Sequence, residues 1–459
     1  MASKNHHTIG YLPDERPPLV ELFLFALQQI VVMFPATVLV ALITHFHVST
    51  TIFASGLATL CFILITGRKI PLYYGSSFSY ITAIGSIVTA DIVGKNDPAL
   101  LNNAISEAQF GIIMSGFVSI AAGIIVKSVG QQIIDKVLPA TVTGSIAMII
   151  GLSLAANALG NASAIPDSIK ETAKAPLAEN LAWVISIITL VSTIAYSVYL
   201  KGKLSQLPIL FGLLTGYLAA LIIGYITDIP FVNFHNTDLT GIFNLPEFTL
   251  PKPSMAAVVA IMPIAIATIP ESTAHIYQLD IYVNDLAKKM NSGKKYNIAD
   301  KLGLNLIGDG LGDIISGFIG GPAGTNYGEN ISTMAITRVF SVPVLIAASI
   351  ITMIIACFTP LVNAVYSIPT CVIGGLSVYL FGVIAAQGIT IMMDRKVDMF
   401  SSRNLAVIAI ILIIGLGGSF GYPDGMIPMF GMRLPALATA AVAGILFNLI
   451  LSIGKKENA

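Results

Sequence analysis

Long nonpolar runs follow one another along almost the whole chain, and short polar segments separate them. A helix of about 20 nonpolar residues crosses the hydrocarbon core of a bilayer, so each run predicts one membrane-spanning segment. The polar segments are too short for a separate soluble domain. The pattern predicts fourteen spans, at 19–44, 50–67, 70–90, 108–127, 138–158, 180–200, 206–226, 254–279, 303–320, 322–337, 341–363, 368–392, 404–421 and 434–453.

Composition supports the same class. The 459 residues are 55% hydrophobic and only 10% charged, and the mean hydropathy is +0.84. These values indicate an all-α, multi-pass membrane protein. The net charge is zero, so nothing indicates a nucleic-acid partner. Cys61, Cys357 and Cys371 lie inside nonpolar runs without metal or redox spacing, which favours a packing role. With a single histidine inside a predicted span and no further ligand spacing, we expect no metal, no cofactor and no enzymatic activity.

The distribution of basic residues predicts the orientation of the chain. With the N-terminus on the cytoplasmic side, only five of the 24 Lys and Arg residues fall outside, namely Lys95, Lys170, Lys174, Lys252 and Arg433. This is a strong positive-inside bias. It predicts cytoplasmic termini, and gaining or losing one span would destroy it.

Two short segments interrupt this nonpolar pattern. Residues 74–79 and 327–332 both have the form Tyr-Gly-x-x-apolar-Ser, and both lie in Gly- and Ser-rich spans that would make poor membrane helices. Unwound backbone at membrane depth is tolerated only where it is buried in protein or lines a cavity, and broken segments in corresponding halves of a transporter indicate its binding site.

A second pair of similar segments has the same spacing. Residues 139–144 in the fifth span resemble residues 369–374 in the twelfth, and the Tyr-Gly segments lie in spans three and ten. Both pairs are seven spans apart, which places matching elements in opposite membrane orientations. The sequence therefore predicts two inverted repeats of seven spans. Chance similarity between Gly- and Pro-rich helices is the alternative.

The broken segments carry groups suited to a flat polar ligand. Backbone N–H groups near Ser77, Phe78 and Gly328 can bind carbonyl oxygens, helped by the positive ends of half-helices. Glu329 costs about 2.5 to 3.5 kcal/mol on insertion scales, which makes it a functional candidate. Glu271 and Glu329 can accept hydrogen bonds from ligand N–H groups, and Phe78 can stack on a ring. A planar heterocycle with alternating N–H and C=O groups fits this set.

Glu271 and His275 in the eighth span suggest a proton-transfer role. They are four residues apart and share one helix face, and Pro270 bends the helix beside the carboxylate. A carboxyl group close to an imidazole in a nonpolar environment can gain and lose a proton. The alternative is a structural pair that satisfies itself. Asp309 and Asp313 in the ninth span are either ligand contacts or helix braces, and bracing is favoured.

These motifs resemble the nucleobase–cation symporters, a family that includes the nucleobase–ascorbate transporters. The resemblance covers nearly the whole chain: Gly75-Ser76-Ser77-Phe78, Glu271 with His275, Asp309-Gly310, and Glu329-Asn330 through Thr337-Arg338. Glu329 stands where purine-carrying members usually have Gln, and so resembles the uracil-carrying branch. Gln29 and Ser332 depart from the family, which usually has His and Gly there.

The resemblance implies the organisation of the fold. Spans 1–4 and 8–11, at 19–127 and 254–363, would form a core domain. Spans 5–7 and 12–14, within 128–253 and 364–459, would form a gate domain. Residues 1–18 and the end of the chain would be cytoplasmic, and the protein would lie in the cell membrane of a bacterium, as its branch implies. A homodimer is also implied.

The resemblance also implies an activity, the import of uracil together with a proton by alternating access. The expected substrate-binding residues are Glu271, Glu329, Phe78, Gly328, Ser77 and Tyr327. Glu271 and His275 would couple proton movement, and Asp309 and Asn330 would support them. The alternatives are a xanthine or other purine carrier of the same family, or an anion transporter or channel-like protein of the same fold.

Overall fold

The computed structural model describes residues 10–95, 97–129, 136–201, 204, 207–233, 241–429 and 431–453, and most of these residues are helical, as predicted. The helices are α1 (Leu19–Thr44), α2 (Val48–Ile65), α3 (Ile81–Gly85), α4 (Ala90–Gly94), α5 (Pro98–Val129), α6 (Ala140–Ser153), α7 (Ala155–Ala162), α8 (Ala175–Tyr199), α9 (Pro208–Thr227), α10 (Met255–Ile261), α11 (Ile264–Lys289), α12 (Leu302–Ile319), α13 (Gly328–Thr337), α14 (Val342–Ala356), α15 (Thr359–Tyr366), α16 (Thr370–Asp394), α17 (Ser402–Gly421) and α18 (Ala436–Ile450). The strands are β1 (Tyr74–Ser76), β2 (Gly324–Asn326), β3 (Met426–Met429) and β4 (Met432–Pro435).

The chain is a multi-pass membrane protein. Within the described ranges, ten helical stretches are long and apolar enough to cross a membrane, counting α6 with α7 and α10 with α11 as single stretches. Helices α14 and α18 are apolar but shorter. Many large nonpolar side chains of α8, α9 and α17 are exposed, as lipid-facing surfaces require because lipid tails are themselves nonpolar.

The two interrupted segments do not form continuous helices, and they meet each other. Strand β1 pairs with β2 in antiparallel fashion, with Tyr74 opposite Asn326 and Ser76 opposite Gly324. A 3-10 turn and the short helix α3 follow β1, and α13 follows β2 after one residue. The paired strands bond to each other, so their backbone groups are satisfied without helical hydrogen bonds.

The helices pack into two groups. The first helix group contains α1 to α5 and α10 to α15 with β1 and β2, and the second contains α6 to α9 and α16 to α18. In the first group, α5 and α12 meet at Gly116 and Gly310, where a Cβ atom on either glycine would lie 2.4 or 2.3 Å from the other's carbonyl oxygen. In the second, α6 and α16 meet in the same way at Gly144 and Gly388. Across the two groups, α11 packs on α6 and α18, and α1 on α9.

Several predicted boundaries were wrong. The fourth span begins at Pro98 instead of 108, because the polar residues before 108 continue the helix. The fifth, eighth and eleventh spans are each divided, near Leu154, Pro263 and Phe358. At the last two of these breaks a proline lies at or beside the interruption, where its ring excludes a helical hydrogen bond. The β3–β4 hairpin was not predicted.

Some predictions lie outside the described residues. They concern the chain ends, 1–9 and 454–459, which carry part of the expected cytoplasmic termini, and the first residue of the seventh predicted span, 206. They also include four of the basic residues expected on the inner side: Lys4, Lys203, Lys455 and Lys456.

Candidate functional site

A network of hydrogen bonds holds the two interrupted segments together. The Tyr327 N–H donates to the Tyr73 carbonyl at 2.9 Å, and the Tyr327 hydroxyl donates to the Ser76 carbonyl at 3.0 Å. The same hydroxyl lies 2.9 Å from the hydroxyl of Thr37 on α1. Ser55 on α2 donates to the Tyr74 carbonyl at 2.8 Å. The unwound backbone is therefore fixed by neighbouring helices.

The ring of Tyr327 explains the glycine in the first Tyr-Gly segment. A Cβ atom on Gly75 would lie 2.4 Å from two carbon atoms of the Tyr327 ring, so no larger residue fits. Tyr327 is 3% exposed and its hydroxyl is fully engaged. Its contribution to the site is therefore to hold the two segments at a fixed distance, with only part of its surface reaching the cavity.

A cavity opens beside these segments, between the two helix groups. It contains about 770 Å³ of empty space, including its opening. The first helix group lines it with Phe78, Ser79, Ala267, Pro270, Glu271, Ala274, His275, Thr325, Asn326, Tyr327, Gly328 and Glu329, and the second with Thr143, Ile146, Ala147, Ile150, Ile384, Gln387 and Ile391.

The two carboxylates predicted from the sequence face this one cavity. Glu271 lies directly after Pro270 inside α11, and its Oε2 atom accepts a long hydrogen bond of 3.4 Å from Ser79. Glu329 lies in the first turn of α13, which begins at Gly328. The first N–H groups of a helix have no partner within it, and the positive end of the helix dipole favours negative charge there.

His275 lies one helical turn from Glu271 and borders the same cavity. Its ring approaches Gly328 so closely that a Cβ atom there would lie 2.9 Å from Nε2, which accounts for the second glycine of the Tyr-Gly pattern. The buried Nδ1 atom has no hydrogen-bond partner in the described structure. No salt bridge joins His275 to Glu271 within the described ranges, so the alternative of a self-satisfied pair is not observed.

Asp309 and Asp313 on α12 act as braces behind the cavity. Asp309 accepts hydrogen bonds from Ser272 at 2.7 Å, Asn326 at 2.8 Å and Asn305 at 3.1 Å. Asp313 accepts from the Tyr74 hydroxyl at 2.5 Å and the Gly324 N–H at 2.8 Å. Neither lines the cavity. Asp309 thereby connects α11, which carries Glu271, to the strand before Glu329.

Asn330 has a similar supporting position. Its Nδ2 atom donates to both the carbonyl and the Oε1 atom of Gln29 on α1, at 3.0 and 2.9 Å. Gln29, which stands where the related family usually has His, thus fixes the helix that begins beside Glu329. The hydrogen bond between helices that is typical of a buried Gln in a membrane protein is present here.

One predicted ligand group is not available. The Ser77 N–H was expected to be unpaired, but it donates to the Ala323 carbonyl at 2.9 Å. The Ser77 hydroxyl accepts from the Ser79 N–H at 3.3 Å, and the side chain does not line the cavity. The reason is local: the extended strand pairing of β1 and β2 continues by one residue. Phe78, by contrast, borders the cavity, and its ring packs edge-on against Phe381 of α16 at 5.7 Å.

Several lining residues were not predicted from the sequence. Ser79 follows Phe78 directly, and its position in the Tyr-Gly pattern was a signal that pointed to it. Asn326, Thr143 and Gln387 gave no such signal, because their approach depends on the packing of distant helices. Among these, Thr143 and Gln387 come from the second helix group.

Long apolar helices around a polar cavity, with unwound backbone at membrane depth, define the class of this protein as a multi-pass membrane transporter. Residues 20–423 match the permease family. The chain belongs to that family of permeases, the nucleobase–ascorbate transporter family, which confirms the resemblance found in the sequence.

Relatives of known name cover nearly the whole chain. Uracil permease from Bacillus caldolyticus is 35% identical over 445 residues, covering 95% of this chain and 94% of that protein. Uracil permease from Escherichia coli strain K12 is 34% identical, covering 96% and 93%. The putative pyrimidine permease RutG from the same strain is 32% identical, covering 96% and 91%.

Solved structures share the fold at low sequence identity. SLC26A9 has a TM-score of 0.65 at 13% identity, and the match covers 95% of this chain but 65% of that one. The transmembrane domain of the cyanobacterial bicarbonate transporter BicA has a TM-score of 0.58 at 15% identity, covering 95% and 97%. The architecture is therefore that of SLC26-type transporters.

Proposed function

We propose that this protein imports uracil together with a proton. The observation that carries the proposal is the meeting of Glu271, Glu329 and the start of α13 at one cavity. The relatives named uracil permease support the choice of substrate. As a permease, the protein moves its substrate across the membrane without changing it chemically.

The site residues have complementary roles in this proposal. The carboxylates of Glu271 and Glu329 accept hydrogen bonds from the ring N–H groups of uracil, because an ionised carboxylate is an acceptor only. Backbone N–H groups at the start of α13, near Gly328, donate to a ring carbonyl. Phe78 provides a nonpolar surface for the base. Ser77 and Tyr327 hold the two segments and do not donate to the ligand.

The same groups provide for proton coupling. Glu271 lies beside His275, whose Nδ1 atom has no partner in the described structure, so a proton can be held at this position. One proton carried with a neutral base gains about 2.3 kcal/mol per 100 mV of membrane potential, roughly a fifty-fold accumulation. This gain justifies a titratable cluster at membrane depth.

The proposal includes fourteen spans in two inverted repeats. Contacts between helices recur with an offset of seven spans. Spans four and nine (α5 and α12) pack together, as do spans eleven and two (α14 and α2). Spans six and seven (α8 and α9) match spans thirteen and fourteen (α17 and α18), and spans one and eleven (α1 and α14) match spans eight and four (α10 and α5). The antiparallel pairing of β1 with β2 relates the interrupted spans three and ten in the same way. An internal two-fold relation accounts for these matched contacts.

The two helix groups would serve as core and gate domains that move against each other. The central cavity shares Thr143, Pro270, Ala274 and Ile391 with a second space. Arg395, Lys396 and Arg403 line that second space, and these basic residues are expected on the cytoplasmic side. This continuity supports the proposal of an importer in the cell membrane whose cavity opens towards the cytoplasm and whose termini are cytoplasmic. We also expect the homodimer that the family resemblance implies.

Uptake of labelled uracil into proteoliposomes tests the proposal. We expect an imposed inward proton gradient to drive accumulation and a protonophore to abolish it; accumulation that ignores the protonophore would exclude proton coupling. Excess 5-fluorouracil should compete strongly and excess xanthine weakly, whereas the reverse order would indicate a purine carrier. Full flux in a Glu271→Gln variant would favour an anion transporter of the same fold, because such a protein does not need carboxylates at its site.

A further inference from the structure

The gate side of the central cavity carries an unexplained carboxamide. On α16, Ile384, Gln387 and Ile391 line the cavity, and their spacing of three and four residues places them on one helix face. On α6, the lining residues are nonpolar apart from Thr143. Gln387 is thus the longest polar side chain on an otherwise nonpolar wall.

Gln387 lies opposite the predicted ligand groups. It lines the central cavity and also an adjoining one, and Gly328 and Glu329 are the other residues that line both. Its side chain therefore borders the same point as the start of α13, but from the other helix group. No element of the gate brings a second carboxamide to this cavity within the described ranges.

The carboxamide of Gln387 has no hydrogen-bond partner among the residues that the structure describes. Gln387 is exposed to the cavity, and it forms no hydrogen bond with any described residue. A polar group in a largely nonpolar environment is costly unless it is hydrogen-bonded. Gln387 lies seven residues before the end of α16 at Asp394, about 10 Å along the helix axis.

The chemistry of the site lacks what Gln387 supplies. Two carboxylates satisfy ring N–H groups but cannot bind both carbonyl oxygens of a pyrimidine, since they only accept when ionised. The start of α13 can serve one carbonyl oxygen. The NH₂ group of a glutamine is a hydrogen-bond donor, so Gln387 can bind the carbonyl oxygen that the start of α13 does not serve.

We propose that Gln387 is the gate domain's hydrogen-bonding contact to the transported base, and that this contact couples substrate recognition to the approach of gate and core. The inference rests on the proposed function, because it takes uracil as the ligand. The core carboxylates bind one edge of the base from their side, and Gln387 binds a carbonyl oxygen from the opposite side. Selectivity for the base thereby depends on both domains.

The test uses Gln387→Met, which keeps the length of the side chain and removes its hydrogen-bonding groups. Binding of labelled uracil to the purified full-length protein is measured for the wild type and the variant, with 2-thiouracil and 4-thiouracil as competitors. We expect uracil affinity to fall about two- to tenfold, the range of one neutral hydrogen bond. We also expect the wild-type preference for uracil over one thio-analogue, whose sulfur is a weaker acceptor, to shrink by a similar factor.

Controls separate this role from a structural one. Thr390→Ala changes an exposed residue on the same helix that does not line the cavity, and it should leave all three affinities unchanged. Gln387→Ala provides a second variant if the first is poorly folded. An equal loss of affinity for all three ligands, or no loss, would overturn the inference.

The same measurements distinguish a failure of the Gln387 role from a failure of the proposed uracil transport. If Glu329→Gln loses uracil binding while Gln387→Met retains wild-type affinity and selectivity, the uracil site stands and only the role of Gln387 is wrong. If the wild type itself binds no uracil, both proposals fail.

Discussion

At the scale of single residues, the site contains two kinds of acid: two that face the cavity and two that bind only to the protein. Glu271 and Glu329 face the cavity, whereas Asp309 and Asp313 are 6% and 2% exposed and bind only protein donors. All four are acids at membrane depth, and the sequence does not show which of them bind a ligand and which support the structure. Their hydrogen-bond partners show it, because a carboxylate with several protein donors is not free to bind a substrate.

Substitution of Glu329 tests the ligand role. In Glu329→Gln, a donor replaces one acceptor oxygen, so a charge-assisted hydrogen bond to the base is lost. Such bonds contribute about 1.5–3 kcal/mol, and we expect the dissociation constant for uracil to rise roughly 10- to 150-fold. Equilibrium binding to purified protein measures it.

The matched control is Glu179→Gln, an exposed acid at the start of α8 that does not line the cavity. It should bind uracil as the wild type does. Equal affinities for Glu329→Gln and Glu179→Gln would contradict the placement of Glu329 at the ligand.

At the scale of elements, glycines set the distances between helices. The contact of α5 with α12 places backbone against backbone at Gly116 and Gly310. Small residues at helix interfaces let membrane helices approach closely, where van der Waals packing stabilises them in the absence of a hydrophobic driving force. Because α12 carries Asp309 and Asp313, this contact also positions the braces behind the cavity.

Gly310→Ala should therefore destabilise the core. The new methyl group would lie 2.3 Å from the Gly116 carbonyl oxygen, so the two helices must separate. Overpacking of this kind costs about 1–3 kcal/mol, and we expect a lower midpoint of thermal unfolding in detergent. Gly417→Ala on α17, where nothing lies within 4 Å of the added atom, is the control. A melting temperature for Gly310→Ala equal to that of the control would be inconsistent with the close contact.

A polar contact outside the membrane fixes the segment before α1. Asp14 accepts hydrogen bonds from Lys294 and Tyr296 in the connection that follows α11. Partial burial alone would raise the pKa of Asp14, but the hydrogen bonds from Lys294 and Tyr296 outweigh it and lower the pKa below its usual value. A lowered pKa in the folded state means that the contact contributes stability above the pKa of the unfolded chain and loses it as the pH falls through the folded value.

Asp14→Asn should follow this dependence. Because the pair is exposed, we expect only about 0.2–1 kcal/mol less stability than the wild type at neutral pH. The difference should disappear as the pH falls through the lowered pKa of Asp14, where the wild-type carboxyl is protonated too. Thermal unfolding of both proteins across an acid pH series measures it, and a difference that persists unchanged at the lowest pH would refute the ionic origin.

At the scale of the whole molecule, the proposed alternating access requires movement between the two helix groups. Their contacts include the region where α3 faces the segment before the β3–β4 hairpin. There, a Cβ atom on Gly425 would lie 3.3 Å from Cγ2 of Thr82. Gly425 belongs to the connection after span thirteen, which is predicted to lie outside, and Thr82 belongs to the outer half of predicted span three. Both are thus expected opposite the space through which the central cavity opens.

A disulfide across this contact should stop transport. In a background without Cys61, Cys357 and Cys371, Thr82→Cys with Gly425→Cys places two thiol side chains in contact, because Cγ2 of Thr82 lies 3.3 Å from the Cβ position of residue 425. Oxidation should abolish uracil uptake and reduction should restore it, because the outer side can no longer open. Each single cysteine variant controls for the substitution itself, including the positive φ of 65° at Gly425. Normal uptake by fully cross-linked protein would rule out alternating access across this contact.

The sequence alone determined the membrane class, most of the helices and the two interrupted segments. These features are local, since a nonpolar run must be helical to satisfy its backbone in lipid, and Gly- and Ser-rich segments cannot form such helices well. Glu271, Glu329 and His275 stood out for the same reason, because ionisable groups are costly in a nonpolar run. The family followed from the motifs around them.

Only the tertiary structure decided which groups meet. The Ser77 N–H donates to the Ala323 carbonyl and is not available to a ligand. The reason is that β1 and β2, about 250 residues apart in the chain, continue their pairing by one residue. Gln387 reaches the cavity because α16 lines it from the second helix group while α13 lines it from the first, and no local pattern in the sequence marks that meeting. Composition and periodicity report how each segment satisfies its own backbone, whereas contacts between segments depend on the packing of the whole helix assembly.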